Sequence, residues 1–270
     1  MKQHNQDFEQ LLDDAERAQF SGWDFGFLKD RLIESPLSWD YRAIVTSHFA
    51  GARRVLDLDT GGGERLGEMA PLPEFAVATE SFASNVMVAA NRLRASGAHV
   101  VQVDSNVQHQ DGPGRGFENA VRRLPFGDES FDLITCRHGS FCAHEVARML
   151  RADGHLVAQL VGSENLVELN AALHGPRTVW RSPDFPPPAT LEEAGLVVLD
   201  RREEKPLAVF RDIGAIVYYL KAAPWQIRDF NLEKYKDRLH RLHKSITQAG
   251  GFRAHAHRHL IVAHKPGRTS

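Results

Sequence analysis

The amino-acid sequence predicts an α/β fold with a mainly parallel sheet, and three observations carry that expectation. Short apolar runs recur along the chain with helical stretches between them, the alternation that βαβ crossovers leave. The first such run, Val55-Leu56-Asp57-Leu58, falls directly into Asp59-Thr60-Gly61-Gly62-Gly63, a turn that a bulky ligand can approach closely. The chain has 270 residues, enough for one large α/β domain with additions.

The elements follow in order. Phe8, Leu11, Leu12, Ala15 and Ala18 stand at helical spacing, so an amphipathic helix is expected over 7–20. An aromatic-rich segment with Trp23, Phe25, Phe27, Trp39 and Tyr41 comes next, and helical spacing resumes through Ile44, Val45 and Phe49. Residues 1–50 read as a helical cap, ahead of a sheet-bearing domain over 51–270. Strands are expected at 53–58, 75–79 and 100–103, with a helix over 84–95 between the second and third. A polar, glycine-rich stretch at 105–119 reads as an exposed loop. Residues 131–136 and 156–161 give the fourth and fifth strands, separated by a helix around 144–150 that Gly154 terminates. A helix starting near Thr190 carries Glu192 and Glu193 in its first turn, where the helix dipole favours acids. The sixth strand is expected at 196–200 and the seventh at 260–264. The excursion between them is too long for a hairpin and reads as a lid-like helical insertion over 205–250. It holds an apolar helix through Ile213, Ile216, Val217 and Leu220, then a basic helix over 232–248.

Composition narrows the function. Apolar residues make up 42% and charged residues 25%, so an ordinary core is expected. A net charge of −2 disfavours nucleic acid as the main partner. Cys136 and Cys142 are too few for a disulfide framework. The polar N-terminus lacks an apolar signal core, and no run approaches the ~20 residues of a membrane span. A cytoplasmic protein without a membrane partner is expected, and nothing in the sequence sets its oligomeric state.

Asp57 through Gly63 resembles the first motif of the class I S-adenosylmethionine-dependent methyltransferases, an acidic residue followed by a glycine-rich turn. Glu80 stands at the end of the second strand, where that family holds both ribose hydroxyls with a carboxylate. Leu124-Pro125-Phe126-Gly127-Asp128-Glu129-Ser130-Phe131-Asp132-Leu133-Ile134 is similar to the family's loop into strand four. Residues 145–156 are similar to the helix, turn and fifth strand that follow. Together the four motifs, in the right order, cover residues 50–161, and the flanks resemble a poorly characterised bacterial branch.

The resemblance implies a Rossmann-like seven-stranded sheet of order 3-2-1-4-5-7-6, with S-adenosylmethionine as cofactor. It implies methyl transfer to oxygen or nitrogen of a small organic molecule. Asp57, Asp59, Thr60, Gly61, Gly62, Gly63, Glu80 and Ser81 become the expected cofactor contacts. There are two departures. Asp59 replaces the motif's first glycine, so the turn must either avoid positive φ there or use aspartate's tolerance of it. No aspartate stands in register before Leu124, which leaves Asn119 or the backbone near Ala120 to meet the adenine.

The remaining candidates are read from residue chemistry. His138 follows the fourth strand at the sheet's carboxyl edge and is the candidate general base, because imidazole titrates near neutrality. Arg137 offers a planar fork to a substrate carboxylate or phosphate, or to the cofactor's own carboxylate. Trp39, Tyr41, Tyr218 and Trp225 lie in the two segments expected to cover the site and are the candidate substrate contacts. His255, His257 and His259 alternate, but no cysteine or carboxylate completes the run, and no metal site is expected. Lys234, Lys236, Arg238, Arg241 and Lys244 read as a solvated face, with RNA backbone contact as the alternative. Two further readings compete with small-molecule methylation. One is RNA methylation, and the other is binding of S-adenosylmethionine or its demethylated product without catalysis.

Overall fold

The computed structural model describes residues 2–23, 25–103, 123–176 and 188–267, with side chains from residue 8 onward and, in the last stretch, from residue 189. The chain opens with helix α1 (Lys2–Arg17), the short strand β1 (Leu32–Glu34) and helix α2 (Tyr41–Phe49). Strand β2 (Arg54–Leu58), helix α3 (Glu64–Gly67), strand β3 (Phe75–Glu80), helix α4 (Ala83–Leu93) and strand β4 (His99–Gln102) build one half of the main sheet with its crossovers. Then come β5 (Phe131–Arg137), α5 (Ala143–Met149), β6 (Leu150–Val161) and α6 (Val167–Ala172). The rest holds α7 (Pro188–Glu193), β7 (Val197–Glu204), β8 (Leu207–Phe210), α8 (Ile213–Ala222), α9 (Leu232–Ala249), β9 (Phe252–His255) and β10 (Arg258–His264).

Seven strands form the main sheet in the order β4-β3-β2-β5-β6-β10-β7. Counting only these strands, that is the expected 3-2-1-4-5-7-6. The pairs from β4 to β6 are parallel, and β10 is antiparallel to both of its neighbours. A parallel sheet covered on both faces requires strands that are apolar on both sides. β2 meets this: Val55 packs in a core with Val45 of α2, while Leu56 and Leu58 pack in the opposite core with α5. The start of β2 is pinned by Asp132, whose carboxylate accepts the N–H groups of Arg53 and Arg54 at 2.9 and 2.8 Å.

A second, antiparallel sheet of order β1-β8-β9 was not expected. Its strands have three or four residues, too few for periodicity to register. It carries a core in which Phe8 and Leu12 of α1 meet Phe210, Tyr218, Leu239 and Ile246 of the insertion. The residues expected as one N-terminal cap therefore divide in their packing. α1 joins the insertion, and α2 lies on the main sheet. Asp40, Asp212 and Asn231 cap α2, α8 and α9 by accepting the N–H groups of Ala43, Ala215 and Lys234.

Two local expectations are corrected. α5 ends at Met149 and β6 begins at Leu150, so Gly154 lies inside a strand and terminates no helix. α7 starts at Pro188, whose missing N–H is harmless in a first turn, and Glu192 and Glu193 fall at its end. No helix among the described residues is long and apolar enough to cross a membrane.

Candidate functional site

The glycine turn leaves the carboxyl edge of β2 with three left-handed residues, Asp59 at φ 55°, Gly61 at 63° and Gly63 at 77°. Aspartate is among the few side chains that tolerate this region, so the turn keeps its shape without the first glycine. Asp59 also fastens the turn. Its carboxylate accepts the Ser140 N–H at 2.9 Å, and its own N–H donates to the Thr79 hydroxyl at 3.1 Å. The Thr60 N–H donates to the Thr79 carbonyl at 2.8 Å. Asp59 thus ties the turn to β3 and to the loop after β5.

Glu80 ends β3 with its side chain buried. Its Oε1 accepts the Phe82 N–H at 2.8 Å, and the N–H groups of Ser81 and Gly61 also face the carboxylate. Burial raises its pKa in spite of these bonds. The Ser81 hydroxyl lies 3.4 Å from Oε1. The carboxylate therefore stands against Gly61 at the end of β3. On that same glycine rests Trp23: a Cβ at Gly61 would come within 1.8 Å of the indole Cδ1. The Gly22 N–H donates to Asn85 of α4 at 3.1 Å, which holds this segment down. Trp225, partly exposed, reaches Trp23 from the insertion with ring centres 5.8 Å apart.

On one face of the sheet, Asp57 of β2 and Thr135 of β5 are register partners, and the Thr135 hydroxyl donates to Asp57 at 2.6 Å. Burial raises the pKa of Asp57, against that bond and the Arg137 charge. Tyr41 of α2 is buried beside this pair, and burial followed by the Asp57 charge raises its pKa well above the ordinary phenol value. Arg137 closes β5 and is half-buried.

His138 follows with φ 59°, and its N–H donates to the Gln159 carbonyl at 2.7 Å. Its Nε2 lies 3.1 Å from the Gln159 side-chain nitrogen. The Trp39 indole N–H, which can only donate, is given to Gln159 Oε1 at 2.9 Å. That contact orients the amide, so its NH₂ points at His138 and the ring proton sits on Nδ1. The residue is exposed, and three guanidinium groups act on its ring. Desolvation, then the guanidinium groups of Arg137, Arg258 and Arg65, hold its pKa well below the usual value. His138 is neutral with its Nε2 lone pair engaged. In this arrangement the Nε2 lone pair accepts from Gln159, and the ring presents an Nδ1–H donor.

Of the candidate substrate contacts, Trp39 and Tyr41 are buried within this cluster, while Trp225 lies over the glycine turn with Trp23. Tyr218 is 1% exposed and stacked on Phe27 at 4.6 Å. It belongs to the core, and its substrate assignment is withdrawn on that ground. Asn119 and Ala120 lie outside the described residues. Trp23, Thr135 and Gln159 were missed as site residues. Thr135 and Gln159 do leave a signal, since each interrupts an apolar run, at 133–136 and 156–161.

The alternating histidines separate. His255 Nδ1 meets Glu168 at 2.7 Å. His257 and His259 lie with Glu203 of β7, their ligand atoms within 4.8 Å of one another. A carboxylate does complete the set, from a neighbouring strand where sequence spacing cannot show it. However, His257 Nδ1 accepts the Glu164 N–H at 3.1 Å, so the proton of a neutral ring is on Nε2, which lies 3.0 Å from Glu203. The ring is also packed on Gly162, where a Cβ would come within 2.2 Å of it. This is a histidine–carboxylate hydrogen bond, with the nitrogen that faces Glu203 carrying a proton in place of a metal-binding lone pair.

Burial, then the neighbouring His257, lowers the pKa of His259 to about 4. The unfolded imidazole takes its proton near 6.5, so stability is full above that pH and is lost as pH falls toward 4. His259 alone is expected to contribute a drop of about 2 kcal/mol in unfolding free energy between pH 6.5 and 4.5. Urea titrations at both pH values should show the drop smaller by about that amount in His259→Gln, and an unchanged drop would refute the assignment.

The basic face of α9 is largely engaged. Lys236 pairs with Glu9 at 2.9 Å, Lys234 with Asp229, and Arg238 donates to the carbonyls of Leu173 and His174 at 3.1 Å. That leaves less positive surface for a phosphate backbone than the sequence suggests.

No protein-family model matches the chain. Over 121 residues it is 29% identical to "uncharacterized methyltransferase YcgJ" of Bacillus subtilis (strain 168), a match that spans 42% of this chain and 43% of that protein. The chain thus covers less than half the length of this curated relative. The structure of a candidate methyltransferase from Bacillus halodurans C-125 superposes with a TM-score of 0.54 at 21% identity, covering 83% of this chain and 98% of that one. The YcgJ structure gives 0.54 at 17% identity, with 84% and 99% covered. A functionally unknown protein from Deinococcus radiodurans R1 gives 0.51 at 16%, with 86% and 90% covered. Strand order and these likenesses give the chain the Rossmann-like fold of the class I S-adenosylmethionine-dependent methyltransferases, and its matched stretch is similar in sequence to a methyltransferase of Bacillus subtilis.

Proposed function

We propose that the chain binds S-adenosylmethionine across the glycine turn and transfers its methyl group to an oxygen or nitrogen of a small organic molecule. One observation carries this reading: a left-handed glycine turn meets two buried carboxylates, Asp57 and Glu80, at one edge of the sheet. Gly61, Gly62 and Gly63 put no side chain into the turn, and the acids beside it suit a cationic, hydroxyl-bearing ligand. In this reading Glu80 accepts the ribose hydroxyls, and Asp57 favours the positive end of the ligand. The bound cofactor supplies an electrophilic methyl group on a sulfonium. The work left to the protein is positioning and exclusion of water. His138 contributes a hydrogen-bond donor at the end of β5, and Trp39 and Gln159 fix its ring.

Calorimetric titration with S-adenosylhomocysteine tests this. Binding by the folded protein is expected, with NADH inert, and no binding of either S-adenosyl ligand would end the reading. Because Trp23 rests on Gly61, its fluorescence should change on titration. Glu80→Gln should weaken binding about tenfold by removing a charge-assisted acceptor. The ligand-free variant should be at least as stable as the wild type. A carboxyl whose pKa rises on folding loses stability as pH climbs through its titration window, and the glutamine escapes that loss. Equal affinity in Glu80→Gln would refute the ribose role. Small-molecule methylation also predicts label transfer to an amine or oxyanion acceptor with little dependence on salt, whereas an RNA acceptor predicts a steep one.

A further inference from the structure

We propose that Arg137 is the anion-holding residue of this cleft and receives a ligand carboxylate. The inference rests on the methyltransferase reading and deepens it. The other arginines taken into the protein have polar partners: Arg31 pairs with Asp212, Arg148 with Glu145, Arg151 with Asp132 and Arg258 with Glu34, while Arg54 and Arg238 donate to backbone carbonyls. Arg137 is half-buried at the carboxyl edge of β5, yet its guanidinium makes no hydrogen bond or ion pair with the described residues. Its acidic neighbours are engaged elsewhere, Asp57 by Thr135 and Glu34 by Arg258. Burial, then the charges of Arg65 and Arg258, lowers its pKa to about 10, so it is still a cation at neutral pH.

A second donor in the same place lacks an acceptor. The Tyr41 hydroxyl is buried beside Arg137, Thr135 and Asp57 with no hydrogen-bond partner of ordinary geometry. A guanidinium held out of water without a counter-charge is costly unless something negative arrives. The site therefore has donors in excess, and the planar fork of arginine matches a carboxylate. Two ligands can bring one: the cofactor, through its amino-acid end, or the methyl acceptor.

The test compares wild type with Arg137→Gln and Arg137→Lys by calorimetry, using S-adenosylhomocysteine, 5′-methylthioadenosine and benzoate. The second compound keeps the nucleoside but has no carboxylate, and benzoate is titrated into ligand-free and S-adenosylhomocysteine-saturated protein. If the cofactor supplies the anion, Arg137→Gln weakens S-adenosylhomocysteine about 10- to 100-fold and leaves methylthioadenosine unchanged. If the acceptor supplies it, both nucleosides bind as before, while benzoate binds the wild type and not Arg137→Gln. In either case Arg137→Lys falls between, because it keeps the charge and loses the fork. Equal weakening of both nucleosides marks a merely structural role and overturns the proposal, as does the absence of any effect on all three ligands. Should neither nucleoside bind the wild type, the methyltransferase reading fails, and benzoate with the ligand-free protein still decides the case of Arg137.

Discussion

Gly61→Ala is expected to lower the unfolding free energy by about 3–4 kcal/mol and to abolish binding at the glycine turn. Two independent penalties add. The new methyl group would sit 1.8 Å from Trp23 Cδ1, so the indole or the turn must move, and overpacking of this kind costs about 1–3 kcal/mol. Gly61 also has φ +63°, where alanine is strained by about 1–2 kcal/mol. A double-mutant cycle separates the two. Trp23→Ala removes the clash and leaves the backbone strain, so the double variant should be more stable than the sum of the singles implies, by about 1–3 kcal/mol. Strict additivity in urea denaturation would show that Trp23 does not press on Gly61. Trp23→Ala alone should leave the turn intact, because Asp59, Thr60 and Thr79 hold it by hydrogen bonds that do not involve the indole.

That contact illustrates what could be read in the sequence. The main sheet was legible because a strand buried on both faces must be apolar on both, and 55–58, 75–79 and 131–136 satisfy this without help from distant residues. Glu80 was legible because a strand end followed by a helix places its last side chain at the sheet's carboxyl edge. Relations across the chain were not legible. Nothing near Trp23 in sequence says that it lies on Gly61, and nothing near His257 announces Glu203, which arrives by antiparallel pairing of β7 with β10. His138 had the right residue type and place for a base. Its proton position depends on Trp39, 120 residues away from the glutamine it orients. The small sheet escaped because its strands, of three or four residues, are too short for periodicity to register. Tyr218 failed as a substrate contact for the usual reason: an aromatic at helical spacing most often faces the core.

Asp59 is where sequence and structure together yield the sharpest series. At this position the backbone needs a left-handed residue, and the loop after β5 needs an acceptor for the Ser140 N–H. Asp59→Asn keeps both, since asparagine tolerates positive φ and its carbonyl oxygen can still accept, so a loss below about 1 kcal/mol is expected. Asp59→Gly restores the family's usual residue and relaxes the backbone, yet it removes the bond to Ser140 and should cost about 1–2 kcal/mol. Asp59→Ala loses the bond and also strains the turn, and should cost about 3 kcal/mol. The predicted order of stability by urea denaturation is therefore Asn, then Gly, then Ala. If glycine equals or exceeds the wild type, the Ser140 bond contributes nothing. If alanine matches glycine, the left-handed backbone does not constrain the position. The same series bears on the site, because Asp59 holds the loop that carries His138, and a Cβ at Gly139 would already meet the Asp59 side chain at 2.5 Å. Asp59→Gly should therefore loosen the His138 ring while leaving the glycine turn formed. An aspartate in a glycine's place thus couples the cofactor turn to the end of β5, which an unbranched glycine could not do.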